Sequence, residues 1–185
     1  MTRRIWFYLG ITMALLVPGR AAALDPIPPE KAALLRAVKP DPPPEKLTQD
    51  IHFIVSDELR HDQFRQQIKG LGGVFVGVGT DQNYTMAAWA RPEVMVMLDF
   101  DQVVVNLHQI YGIAFAESAT AQAFINFWAE ENRDRVIALI KERYPDKVLQ
   151  RRVLLAERWG RKRVHRRLLK LAKTYAWLKV PHFLT

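Results

Sequence analysis

The residues best suited to chemistry lie between Gly72 and Asp101, in the stretch GGVFVGVGTDQNYTMAAWARPEVMVMLDFD. Gly77 and Gly79 follow an apolar run, Asp81, Gln82 and Asn83 open the next segment, and Asp99 and Asp101 close a second apolar run. In a doubly wound sheet, the first strand-to-helix turn brings backbone up to a ligand, and an acid at the end of the second strand accepts from ribose hydroxyls. Asp99 lies 22 positions after Gly77, near the offset of about 20 that this division of labour needs. The chain reads GVGTDQN rather than G-x-G-x-x-G. A carboxylate at Asp81, near a helix N-terminus, would compete with a pyrophosphate for the same amides and repel it. The turn is therefore expected to disfavour NAD and FAD, whereas an adenosine ligand without phosphates is compatible with that charge, and Gln82 and Asn83 could hydrogen-bond a ligand there. Each residue also has a purely structural use. The glycines suit a tight turn that needs positive φ, Asp99 suits a solvated strand end, and Asp81 or Asp101 can cap the helix that follows.

Other constellations carry less. SDELRHD gathers Ser56, Asp57, Glu58, Arg60, His61 and Asp62, which reads as a capped, charged helix start more readily than as an acid–base or metal centre. His52, His61, His108, His165 and His182 show no H-E-x-x-H spacing, and no G-x-S-x-G or G-K-S/T string occurs. Neither metal, hydrolase nor nucleotide triphosphatase chemistry has a signal. With no cysteine in the chain, thiolate sites, disulfides and cysteine nucleophiles are excluded.

The elements that would position the turn follow from periodicity. Val74–Val78 and Val94–Leu98 are short apolar runs without alternation, which predicts strands buried on both faces in a sheet covered by helices. Asn83–Ala90 fits a helix ending before Pro92. Val103, Leu107, Ile110, Tyr111 and Ala114 mark one face of a helix starting at about Asp101. Strand, helix, strand, helix implies parallel pairing and a right-handed crossover. Upstream, Ile51, Ile54, Val55, Leu59 and Ile68 recur mostly at helical spacing over Leu47–Lys69, with Ser56 or Asp57 able to cap a second helix inside it. Downstream the chain reads as four helical segments: one with Phe124, Phe127 and Trp128, a second with Val136, Ile137 and Ile140, a third from Val148 to Leu154, and a fourth from Val164 to Leu178. No third strand is visible.

The N-terminus carries Arg3 and Arg4, an apolar run from Ile5 to Val17, a Pro18-Gly19 break and the small residues Ala21–Ala23. This is the order of a secretory signal peptide cut after Ala23, residues 1–23, and the run is short of the roughly 20 residues a membrane span needs. Residues 24–45 hold seven of the eleven prolines and read as an extended arm with a short helix over Glu30–Val38. The folded domain is expected over 46–185. The net charge of +8 is concentrated: Arg151–Lys179 holds eleven Lys and Arg against Glu157 alone. An apolar stripe beside those cations suits a helix packed on the sheet with a solvated basic face. It also suits an anionic membrane or envelope surface, a better partner than nucleic acid for an exported protein.

With those residues in view, a family resemblance is evident. The glycine turn with its acidic strand end looks like motif I of class I S-adenosylmethionine-dependent methyltransferases. More specifically, GVGTDQNYT followed by Arg91-Pro92 and LDFD, with SDELRHD upstream, resembles an uncharacterised bacterial family of methyltransferase-like proteins. The resemblance runs from about Ile51 to the C-terminus. It implies an α/β, Rossmann-like methyltransferase-type parallel sheet, incomplete with only two strong strands, followed by a helix-rich, basic C-terminal region from about residue 101. It implies S-adenosylmethionine as cofactor, with Gly77 and Gly79 as the turn and Asp99 or Asp101 as the ribose acid. Export gives a second expectation, a non-catalytic cell-envelope protein that keeps the fold and works through its basic surface.

Overall fold

A computed structural model describes residues 28–39, 42 and 51–182. Val74–Val78 (β1) and Val94–Leu98 (β2) form strands with the bounds that their apolar runs predict. They pair in parallel, Val74 opposite Val94 and Val78 opposite Leu98, and are joined by helix Gln82–Ala90, α3 once the shorter helices Pro29–Ala37 (α1) and Arg65–Ile68 (α2) are counted. Arg91 ends α3 in the left-handed region (φ 54°), its N–H donating to Ala87 O, because the proline ring at 92 denies its predecessor the α conformation. Asp101 then opens α4 (Gln102–Glu117) by accepting from Val103 N at 2.8 Å, which satisfies one orphan amide of the new helix.

Helices α5 (Ala121–Phe127), α6 (Arg133–Arg143) and α7 (Lys147–Leu178) complete the chain. About 65% of the described residues are helical, and with the two-stranded parallel sheet this makes a mixed α/β architecture. The core lies among the helices. Leu107, Ile110, Tyr111 and Ala114 of α4 share it with Val164, Leu168 and Leu171 of α7, all without solvent exposure. Each large side chain there contributes roughly 1.5–3 kcal/mol of transfer free energy.

Four expectations are corrected. The sheet is not buried on both faces: Val74, Val76 and Val78 are 67%, 58% and 64% exposed and Leu98 50%. β1 and β2 cover each other only at their edges, and the helical layer stands against the opposite face, where Gly77 is buried. The helix expected over Leu47–Lys69 is confined, among the described residues, to a 3₁₀ turn at His61–Phe64 and α2, with 51–60 extended. Apolar spacing there reflects Ile54 plugging into the core, and Ser56 caps no helix: its Oγ accepts from Glu58 N at 3.1 Å. The third and fourth C-terminal segments are one helix, α7, of 32 residues, and it packs chiefly on α4 rather than on the sheet. The fourth correction, at Asp81, belongs to the site.

The expected arm is described from Pro28 to Lys39 and at Pro42, where α1 takes the place of the short helix read over Glu30–Val38. The signal peptide, its cleavage point and the expected domain start at Lys46 lie outside the described residues. No helix among the described residues is long and apolar enough to cross a membrane.

Candidate functional site

The turn between β1 and α3 is held from three sides. Gly79 sits at φ 85°, a conformation that costs an L side chain about 1–2 kcal/mol. Its N–H donates to Leu98 O at 3.2 Å, tying the turn to the end of β2. Its carbonyl accepts from His108 Nε2 at 2.9 Å, and His108 Nδ1 meets the Tyr84 hydroxyl at 2.7 Å. A carbonyl can only accept, so Nε2 carries the proton and Nδ1 accepts from Tyr84. Burial holds His108 below its ordinary pKa, which keeps the neutral ring that this relay requires.

Gly77 is required for a different reason. A Cβ there would stand 2.5 Å from Asn83 Oδ1 and 2.9 Å from a Phe75 ring carbon. The space belongs to Asn83, whose Nδ2 donates to Val78 O at 2.9 Å and Thr80 O at 3.2 Å. Gln82 Nε2 donates to Val78 O at 3.1 Å. Both side chains thus close the turn's carbonyls.

The three acids separate by environment. Asp99, at the end of β2, accepts from Asp101 N at 2.8 Å. Burial raises its pKa, the neighbouring amides of Asp101 and Gly79 pulling the other way. Asp101 is buried and committed twice, to Val103 N and to His52 Nδ1–H at 2.7 Å. His52 in turn stands edge-on to Trp159, with centroids 5.3 Å apart. Asp81 is the correction: it does not cap α3 and does not face the amides a pyrophosphate would use. It is fully buried and accepts from Arg167 Nε at 2.8 Å, Ser56 N at 2.8 Å and Thr80 Oγ1 at 3.3 Å. A carboxylate in this interior keeps its charge only with such partners. The structure therefore brings Gly79, Asp99 and His108 together, leaves Gln82 and Asn83 as braces of the turn, and gives Asp81 and Asp101 to scaffolding.

Arg167 is the functional-looking residue that the pattern of charges concealed. It comes from α7, 86 positions from its partner, and also donates through Nη2 to Glu58 O. Around it lie His61, buried with neither ring nitrogen hydrogen-bonded to a described residue, and the Tyr175 hydroxyl, buried beside the backbone amides of His61 and Asp62. The Tyr175 ring lies 4.2 Å from that of His182, tilted by 35°, and His182 Nε2 meets Thr85 Oγ1 at 2.8 Å. Arg161 is the second buried cation, paired with Glu157 and donating to the carbonyls of Phe127, the last residue of α5, at 3.2 Å and of Ala129 at 2.7 Å. A guanidinium there answers the negative end of that helix. The available signal was position, since Arg161 and Arg167 fall on the apolar stripe of α7 marked by Val164, Leu168 and Leu171. The remaining nine of the eleven cations between Arg151 and Lys179 are exposed, and none forms an ion pair with a described residue. Among the described residues no three His, Asp or Glu side chains gather as a metal ion would need.

Fold and site define a mixed α/β protein whose parallel β–α–β unit is buttressed by a long cationic helix. Residues 53–185 match the family described as Domain of unknown function (DUF7790), and the chain belongs to that family. No curated protein matches it.

Proposed function

We propose that the β1–α3–β2 unit is a Rossmann-like half of the methyltransferase type. In this reading it holds an adenosine ligand, S-adenosylmethionine or its demethylated product, at the carboxyl ends of its strands. One observation supports this most: the left-handed Gly79 turn and the partly buried Asp99 carboxylate stand side by side where both strands end. That is the place at which an open parallel sheet offers backbone to a ligand and an acid to ribose. Gly77 admits the Asn83 brace, and Asp99, rather than the doubly committed Asp101, accepts from the ribose hydroxyls. No side chain is assigned a catalytic step. The protein acts outside the cytoplasm, after loss of residues 1–23.

Calorimetric titration of the mature chain with each compound tests the reading. Saturable heat is expected with a rise in melting temperature, and Asp99→Asn should weaken binding about tenfold, the loss of one charge-assisted hydrogen bond. Asp101→Asn should lower the melting temperature and leave affinity within about threefold. Absence of heat and of any thermal shift at millimolar ligand would remove the proposal.

A second reading draws on a separate observation, the nine exposed cations of α7, none of which forms an ion pair with a described residue. With Trp159 and Trp177 also exposed, that helix suits a non-catalytic protein resting on an anionic membrane or envelope surface. Co-sedimentation with anionic and neutral vesicles decides it, and equal binding to both would end it.

A further inference from the structure

Arg163, Arg166, Arg167 and Lys170 recur at i, i+3, i+4 and i+7, so they share one face of α7. That face looks onto the extended segment at Val55, Ser56 and Asp57 across a groove of about 450 Å³. The four cations are not equivalent. Arg167 is buried and spent on Asp81 and on the Glu58 carbonyl, which ties the 55–58 segment to the helix and fixes the groove's width. Ser56 N is likewise spent on Asp81. Arg163, Arg166 and Lys170 are exposed and make no ion pair with a described residue. The single carboxylate lining the groove is Asp57, also unpaired among the described residues.

Three cations without an ion-pair partner among the described residues, against one carboxylate, leave the groove with a net charge of +2. A phosphomonoester carries close to −2 at neutral pH and presents three acceptor oxygens. Guanidinium groups match those oxygens in geometry as well as charge. The Arg167 anchor matters because a free cation pair on a flexible surface is worth little, whereas a groove whose opposite wall is pinned presents its donors at a fixed separation.

We infer that this groove between α7 and residues 55–57 is a discrete binding site for a phosphate-type oxyanion, held by Arg163, Arg166 and Lys170 and opposed by Asp57. The inference deepens the surface reading of α7 and is independent of the adenosine site.

The test is titration of the full mature chain with inorganic phosphate at constant ionic strength in chloride. Saturable binding at one site is expected. The double variant Arg163→Gln with Arg166→Gln should bind about tenfold more weakly, and Arg151→Gln with Arg152→Gln, which removes the same charge elsewhere on α7, should stay within about twofold. Asp57→Asn should tighten binding about threefold, because it removes the groove's own repulsion. All four substituted arginines are exposed, and unchanged melting temperatures check that each variant folds. Unsaturable binding, or equal losses in the two double variants, would overturn the site in favour of a diffuse field. Vesicles separate the sources of phosphate. Phosphatidic acid vesicles that release the Arg163/Arg166 variant but not the Arg151/Arg152 variant point to a lipid headgroup. Equal sedimentation of both, with the phosphate titration still discriminating, points to a soluble phosphate. A chain that binds phosphate in the groove yet shows no preference for anionic vesicles would sink the surface reading alone.

Discussion

At the residue scale, the glycine turn illustrates how one sequence feature can serve two ends. Gly77 is small because Asn83 fills its side-chain space, and the two form a coupled pair. Gly77→Ala should cost about 1–3 kcal/mol, the range for forcing an extra methyl group into packed surroundings. Adding Asn83→Ala should recover part of that cost, so the double variant should melt higher than the sum of the single effects allows. Simple additivity would show that the contact does not govern the position. Asp81 and Arg167 are the other residue-scale pair. Asp81→Asn should destabilise the chain by about 3–5 kcal/mol in urea unfolding, since it leaves a buried guanidinium charge uncompensated. The glycine turn and the position of Asp99 at the end of β2 were legible because they depend on near neighbours in sequence. Asp81 was misread because its partner lies 86 residues away, beyond the reach of any local spacing rule.

Among the elements, those punctuated by local chemistry were read to within a residue. β1 and β2 stand between glycines, Pro92 and acids, Pro92 ends α3, and Asp101 starts α4. What failed depended on tertiary context. The 51–60 segment has helical spacing but is drawn out to reach Asp81 and the core. Open exposure of β1 runs against its pattern, because an apolar run without alternation is the mark of a strand covered on both faces, whereas Val74, Val76 and Val78 stay exposed. The continuity of α7 was missed, its residues being read as one segment ending at Leu154 and another from Val164, and Gly160 lies in the gap between them. The glycine marks instead the crossing of α7 over α4, where a Cβ would lie 2.7 Å from Leu107 Cδ1. Two effects oppose each other in Gly160→Ala. Helix propensity favours alanine by about 1 kcal/mol, but Leu107 is fully buried, and overpacking costs about 1–3 kcal/mol. The variant should therefore be less stable by up to about 2 kcal/mol, with Leu107→Ala reversing the sign of the effect in the double variant. A rise in stability from Gly160→Ala alone would show that the crossing is looser than its geometry.

For the whole molecule, a sheet of two strands cannot hold a site rigid by itself, and the turn depends on α7 through a polar interior built on Asp81, Arg167, His61 and His182. This interior makes stability depend on pH. Burial, aided by His61 and Arg167, takes His182 down to about 3. Burial and Arg167 lower His61, with Asp81, Glu58 and Asp62 opposing them. In the unfolded chain both titrate near the ordinary value of about 6.5. Below that pH the unfolded state binds more protons than the folded one, so stability is complete above about 6.5 and falls as the solution is acidified. For His182 the loss continues towards pH 3 at about 1.4 kcal/mol per unit. Asp99, whose pKa burial raises, acts in the opposite sense, but from the ordinary carboxylate range upward, where acidification protects it. Between pH 7 and pH 5 the histidines should therefore dominate, and urea unfolding should show the chain weaker at pH 5 by about 1–3 kcal/mol. His182→Gln removes the steeper of the two contributions and should flatten that difference by about half, while His165→Gln, outside the interior, should leave it intact. Equal unfolding midpoints at the two pH values would mean that the buried imidazoles are reached by protons without opening the fold, and that the interior joining α7 to the glycine turn is wet.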